Sequence, residues 1–124
     1  EGTLVNLAGA ISMEIDGDIW LLLSSGNIMR YNDGEQVPFA LENSVAIAKE
    51  PVDMYVTKDD REEIYLADAG EDYILVYSKD GVYEKQLKAP EGDPLSGLSG
   101  IFIDETAEKL FILTKTSLYS HPLP

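Results

Sequence analysis

Cysteine is missing from this chain of 124 residues, and histidine occurs only once. Without thiols the chain has no disulfide, no thiolate metal site and no cysteine nucleophile. Many exported bacterial proteins also lack cysteine, so the compartment stays open and an extracytoplasmic location is compatible with the sequence. The longest apolar run, Ile19–Leu23, has the length of a strand and falls far short of the roughly 18 residues of a membrane span. We therefore expect no membrane insertion of this segment.

Basic residues are scarce, because 9 Lys and Arg stand against 23 Asp and Glu and leave a net charge of −14. Nucleic-acid binding depends on neutralising phosphates with Lys and Arg, so this balance predicts that nucleic acid is not a partner. It also disfavours an anionic membrane surface. The simplest explanation of the acidic excess is solubility, with a cation site or a basic partner as the alternative.

One apolar pattern with a central aromatic residue occurs three times along the chain. Trp20, Tyr65 and Phe111 lie 45 and 46 positions apart, and repeats of about 40–50 residues are typical of four-stranded propeller blades. Asp33-Gly34 and Asp80-Gly81 follow two of the repeats, and Asp-Gly between β-rich runs indicates a hairpin turn. The predicted strands are 12–16, 19–23, 28–31 and 36–41 in the first repeat, 53–57, 64–67, 74–77 and 82–87 in the second, and 100–104, 110–113 and 118–121 in the third.

These repeats predict an all-β fold of about three β-propeller blades, each of four antiparallel strands. Residues 1–124 would form a single propeller segment, with blades at about 9–43, 50–90 and 96–124. Residues 42–50 fit a linker between blades, although they could also form a helical turn or two. The third repeat ends without a fourth strand, and we expect the extra strand 3–7 at the start of the chain to complete it.

Three blades are too few to close a ring, since propellers usually have about 4–8. An open arc of blades would expose an apolar face at each end. The chain would then be a fragment of a longer propeller, or one half of a six-bladed ring that a homodimer closes, or an arc packed against something else. We favour a six-bladed propeller, of which this chain is either a fragment or one half that dimerises.

The middle repeat reads IYLADAGEDYILVYSKDG at residues 64–81, and this stretch resembles the NHL-type propeller repeat. The first repeat keeps Trp20, Arg30-Tyr31 and Asp33-Gly34 of that pattern. The resemblance implies a six-bladed ring that binds proteins, RNA or small ligands through one face or through its axial channel. The acidic charge of this chain argues against RNA among these ligands.

No residue pattern indicates catalysis, so the sequence predicts no enzyme, no catalytic or cofactor-binding residue, no metal ligand and no cofactor. A Ser-His-Asp triad would have to use His121, which we interpret instead as an exposed histidine at the end of a strand. The acidic run 59–63 does not match the order of a calcium loop. A solvated hairpin tip is the favoured reading of this run, and a cation site is the alternative.

Two further carboxylates fall on predicted innermost strands. Glu14 does not belong to a ring of carboxylates, because Tyr55 and Phe102 hold the equivalent positions. Asp53 lies at the start of its strand, where six-bladed hydrolases similar to lactonases hold a divalent ion. Ser12 and Gly100 occupy the equivalent places and supply no carboxylate, which favours an acidic strand end that faces solvent.

The three central aromatics are expected to pack between blades rather than to form a ligand-binding stripe. Some of the remaining tyrosines are candidates for a binding face; the residues considered are Tyr31, Tyr55, Tyr73, Tyr77 and Tyr83. The predicted function is a non-catalytic protein- or ligand-binding or scaffolding module, part of a larger bacterial protein. The alternative is a cation-dependent six-bladed hydrolase that forms by dimerisation.

Overall fold

The computed structural model describes residues 9–41, 49–88 and 95–124. Within these ranges the chain forms strands and turns but no helix, and so no helix of the length and apolarity that crossing a membrane requires. The strands are β1 (Ala10–Ile15), β2 (Ile19–Leu23), β3 (Ile28–Asn32), β4 (Glu35–Val37), β5 (Pro51–Val56), β6 (Glu63–Asp68), β7 (Tyr73–Ser78), β8 (Tyr83–Lys88), β9 (Leu98–Asp104), β10 (Lys109–Thr114) and β11 (Leu118–Pro122).

The strands form three antiparallel sheets in chain order. Sheet 1 contains β1–β4, sheet 2 contains β5–β8, and sheet 3 contains β9–β11. The first strands lie closest together, since β5 contacts both β1 and β9, and each sheet extends outward from them as a propeller blade does. The predicted all-β fold of propeller blades is thus confirmed. Sheet 3 has three strands in the described part of the chain, and the strand 3–7 that was expected to complete it lies outside that part, as do residues 42–48 of the predicted linker.

The two Asp-Gly turns differ in geometry. Asp33 and Gly34 both have positive φ, whereas in the second turn only Gly81 does, and there the ladder shifts register between Val76 and Tyr77. A Cβ on Gly81 would overlap the carbonyl oxygen of Ala40, while one on Gly34 would meet open space. β4 is shorter than its predicted range 36–41 because the residue after Val37 is a proline, which has no N–H for the ladder.

Two apolar cores lie between the sheets. Sheet 2 is buried on both sides, so β6 and β7 read as nearly continuous apolar runs instead of alternating ones. The core between sheets 1 and 2 contains Trp20, Leu22, Ile28, Met54, Val56, Ile64, Leu66, Tyr73, Leu75 and Tyr77. The core between sheets 2 and 3 contains Tyr55, Tyr65, Ala67, Ile74, Val76, Leu95, Leu98, Ile101, Ile103, Leu110 and Ile112.

The three central aromatics occupy one register position in successive sheets. Trp20 and Tyr65 are almost completely buried, the first against sheet 2 and the second against sheet 3. Phe111 points to the opposite side of sheet 3 from Leu110 and Ile112, and it is only partly buried. The prediction that these rings pack between sheets is therefore correct for the first two, and Phe111 lies on a face that no further described sheet covers.

Candidate functional site

Asp53 joins the first strands of all three sheets. Its Oδ1 accepts hydrogen bonds from Ser12 Oγ at 3.1 Å and from the Met54 backbone N–H at 2.8 Å. Its Oδ2 accepts the backbone N–H of Ile101 at 2.9 Å. A Cβ at Gly100 would stand 3.3 Å from the same Oδ2, so a small residue leaves room for the carboxylate. The structure thus brings Ser12, Asp53 and Gly100 together, and the carboxylate ties sheets to one another instead of facing solvent alone.

Two glutamates make similar connections near the ends of the first strands. Glu14 Oε1 accepts the backbone N–H of Val56 at 3.2 Å and pairs with Lys58 Nζ at 3.1 Å. Glu105 accepts the Tyr55 hydroxyl at 2.8 Å and also two backbone N–H groups at residues 58 and 59. Burial raises the pKa of Tyr55, and its hydrogen bond to Glu105 raises it further. The role of Glu105 was not predicted, although an acidic residue near the end of a first strand also occurs at Asp16.

A polar cavity of about 300 Å³ opens between the turns of sheets 1 and 2. Asp16 accepts the Trp20 indole N–H at 2.8 Å and pairs with Lys79 Nζ at 2.5 Å. Arg30 pairs with Asp18 at 2.5 Å and lies 4.6 Å from the centre of the Trp20 ring. Burial raises the pKa of Asp16, but the hydrogen bonds from Lys79 and Trp20 outweigh this effect and lower it overall. Lys79 and Arg30 are thus each paired with an adjacent acid in the lining of this cavity.

Residues 59–62 of the acidic run lie in the hairpin between β5 and β6, as predicted, and Glu63 begins β6. Asp59 is engaged with Arg61, both through the backbone N–H and through the guanidinium, and Glu63 accepts the buried hydroxyl of Tyr65 at 2.9 Å. The backbone N–H of Arg61 lowers the pKa of Asp59. Across the described ranges, no group of three or more histidine, aspartate and glutamate side chains is arranged to hold a metal ion.

His121 lies on β11, where it is exposed, and its Nδ1 is 2.6 Å from the Pro122 carbonyl oxygen. It lines an apolar groove of about 390 Å³ between β8 and β11, together with Leu87 and Tyr119. The groove lies between sheets 2 and 3, with Ile74 on one side and Leu110 and Ile112 on the other.

The tyrosines considered for a binding face are mostly interior. Tyr55, Tyr73 and Tyr77 are buried, and Tyr31 and Tyr83 are partly buried. Tyr119 on β11 was not among these candidates, and it is 39% exposed. A tyrosine-rich binding face is thus not assembled by these residues.

Most of the exposed large apolar side chains lie on the two terminal sheets. They include Met13, Ile15 and Ile19 on sheet 1, and Phe102, Leu113 and Leu118 on sheet 3. We name the first group the rear face of sheet 1 and the second group, with Phe111, the forward face of sheet 3. A shallow cavity of about 280 Å³ lies on the forward face of sheet 3. Contiguous apolar surface of this kind is typical of contacts between proteins.

Comparison with protein-family models finds no match, and comparison with curated proteins finds none either. Among solved structures, the chain is similar to the WD40 repeats of RRP9 at 12% identity and a TM-score of 0.64, covering 84% of this chain and 32% of that one. It is also similar to Kuenenia stuttgartiensis hydrazine synthase (16% identity, TM-score 0.65, 90% of this chain and 31% of that one). It is similar as well to virginiamycin B lyase from Staphylococcus aureus, at 18% identity and a TM-score of 0.57. This match covers 94% of this chain and 42% of the lyase chain.

This chain therefore spans about a third to two fifths of the length of these three solved chains. WD40 repeats are propeller blades of four-stranded sheets, and the shared part is the stack of sheets described above. The likeness is to WD40 and propeller-type folds in general, not to the NHL type in particular. At these identities it establishes the fold alone, which is that of a partial β-propeller.

Proposed function

We propose that this chain is a non-catalytic β-propeller module that binds a protein or small ligand, or acts as a scaffold, within a larger protein. The observation that carries the proposal is the pair of exposed apolar faces on sheets 1 and 3. Apolar side chains at the same register positions of sheet 2 are buried, so these faces are built to be covered by protein. The net charge of −14 supports a partner other than nucleic acid.

The absence of catalysis is proposed because the candidate carboxylates are already occupied. Asp53, Glu14 and Asp16 each accept hydrogen bonds from neighbouring strands or pair with a lysine. A hydrolase that depends on a divalent cation would need carboxylates free to converge on that ion. The single histidine, His121, is exposed. Its described polar contact is with the Pro122 carbonyl oxygen and not with a carboxylate.

We also propose that the repeat is of the NHL type, on the strength of the motif at 64–81. Its Asp68 is fully buried and accepts the backbone N–H groups of Lys49, Glu50 and Gly70 at 2.9–3.1 Å. A Cβ on Gly70 would stand 2.9 Å from the Lys49 Cβ. Asp68 and Gly70 of the motif thus hold the residues that precede β5 against the end of β6. This contact gives Asp68 and Gly70 a structural role.

Thermal unfolding with and without calcium or magnesium tests the non-catalytic proposal. We expect no rise in melting temperature with either ion, because a ligand stabilises only a fold that binds it. A rise that disappears in Asp53→Asn would support the cation-dependent hydrolase and contradict the proposal. Glu35→Gln is the matched control, since Glu35 is an exposed carboxylate on β4.

A further inference from the structure

The contacts between sheets inside the chain repeat one arrangement. Consecutive residues of a strand point to opposite sides of its sheet. The forward face of a sheet is the side that is turned toward the next sheet along the chain. Trp20 and Tyr65 lie on the forward faces of sheets 1 and 2. Trp20 packs on the face of sheet 2 that carries Ile64. Tyr65 packs in the same way on the face of sheet 3 that carries Leu110. The forward face of one sheet thus always meets the rear face of the next.

Three side chains on the rear face of sheet 1 are exposed although they correspond to core residues elsewhere, while Leu21 on the same side of the sheet is buried. Ile15 and Ile19 are cross-strand partners and are 54% and 40% exposed. At the same register of sheet 2, Val56 and Ile64 are fully buried. The corresponding pair in sheet 3 is Ile103 and Leu110, and both are also buried.

The forward face of sheet 3 shows the complementary exposure. Leu113 and Leu118 are cross-strand partners and are 49% and 67% exposed. Leu22 and Ile28 hold this register in sheet 1, where they are buried against sheet 2. Ala67 and Ile74 hold it in sheet 2, and they are buried as well. Among the described residues, apolar side chains are therefore exposed on the rear face of sheet 1 and on the forward face of sheet 3.

We infer that a second copy of this chain covers both faces and closes a ring of six sheets. This inference rests on the proposed function and names the partner. The forward face of sheet 3 of each copy would meet the rear face of sheet 1 of the other, and so continue the contact that occurs twice within one chain. Two copies of the three sheets described here supply six, which falls inside the usual range of about 4–8 blades. A two-fold axis makes both junctions identical.

The first strands specify which residues should meet at the junction. Ser12 contacts Asp53 of the next sheet at 3.1 Å, and a Cβ on Gly100 of the sheet after that would stand 3.3 Å from the Asp53 carboxylate. These three residues hold equivalent places on β1, β5 and β9. The next step of the same progression places Gly100 of one copy against Ser12 of the other.

Light scattering on the full chain, over a wide range of concentration, tests the inference. We expect a mass near twice 13.7 kDa. Ile15→Asp on the rear face and Leu113→Asp on the forward face should each weaken dimerisation by roughly 100-fold or more, because each introduces a charge into both junctions. Val82→Asp is the matched control: Val82 is 48% exposed and lies in a turn outside both faces, so this variant should stay dimeric.

Cysteine cross-linking adds a measurement of proximity between the two copies. The chain has no cysteine of its own, so Ser12→Cys with Gly100→Cys should give a covalent dimer under mild oxidation. Each single variant should migrate as a monomer on a denaturing gel.

A parent chain that stays monomeric, an open polymer instead of a dimer, or Asp variants as dimeric as the Val82 control would overturn the ring. None of these outcomes touches the non-catalytic proposal, because another protein could cover the two faces. Conversely, a calcium-dependent rise in melting temperature would overturn that proposal and leave the dimer intact.

Discussion

Replacing Asp53 with alanine is the most direct test of the junction between the first strands. The substitution removes the carboxylate that accepts hydrogen bonds from three donors, which are Ser12 Oγ, the Met54 N–H and the Ile101 N–H. The serine hydroxyl can rotate toward water, but the backbone N–H groups of Met54 and Ile101 belong to buried residues. An unpaired buried donor costs about 1–3 kcal/mol, and partial exposure of position 53 lets water recover some of that.

We therefore expect Asp53→Ala to lower the free energy of unfolding by about 2–4 kcal/mol. In a chain of this size that corresponds to a fall in melting temperature of roughly 10 °C. Ser12→Ala, which removes one of the three donors and leaves the other two paired, should cost about 1 kcal/mol. Urea denaturation with linear extrapolation measures both, at one protein concentration because self-association would make the midpoint depend on it.

The sign of the effect separates two interpretations of the same carboxylate. A side chain retained for binding an ion is often unfavourable for the ion-free fold, and its removal then stabilises the protein. If Asp53→Ala proved as stable as the parent or more stable, the reasoning that makes Asp53 a structural link would be refuted.

Two other predictions concern charge and turn geometry. The lowered pKa of Asp16 means that its contribution to stability is present above about pH 4 and is lost as the pH falls through the folded-state pKa. Lys79→Met should therefore reduce the loss of stability between neutral and acidic pH, measured by urea denaturation. An unchanged loss in this variant would contradict the assignment to the Asp16–Lys79 pair. Gly34→Ala should cost about 1–2 kcal/mol from positive φ alone, whereas Gly81→Ala should cost clearly more, because its Cβ would also overlap a backbone carbonyl; equal losses in thermal unfolding would show that the close approach is unimportant.

Much of the strand arrangement could be predicted because its causes are local. The second strand at Ile19–Leu23 matches its predicted bounds, and the other strands differ by a few residues at most, except β4, which ends before Pro38. The equivalence of Trp20 and Tyr65 follows from spacing, since one blade is one repeat of strands and turns. The family type stays a proposal, because the fold comparisons support propellers in general.

The partners of the polar side chains could not be read from the sequence. Asp16 meets Lys79 and Asp53 meets Ile101 across 63 and 48 positions, and nothing in either neighbourhood of the chain indicates the other. Glu105 was missed for the same reason, because its hydroxyl and N–H donors belong to the preceding sheet.

The sequence by itself determined three β-rich repeats, their turns and the aromatic residue at the centre of each, because each apolar strand and each Asp-Gly turn is specified by a few consecutive residues. Only the tertiary structure decided which apolar faces are covered. Ile19 and Ile64 are the same residue type at the same register, yet one is exposed and the other is buried. The difference lies in whether another sheet stands opposite, and that is set by how whole sheets pack and not by the residues of one strand.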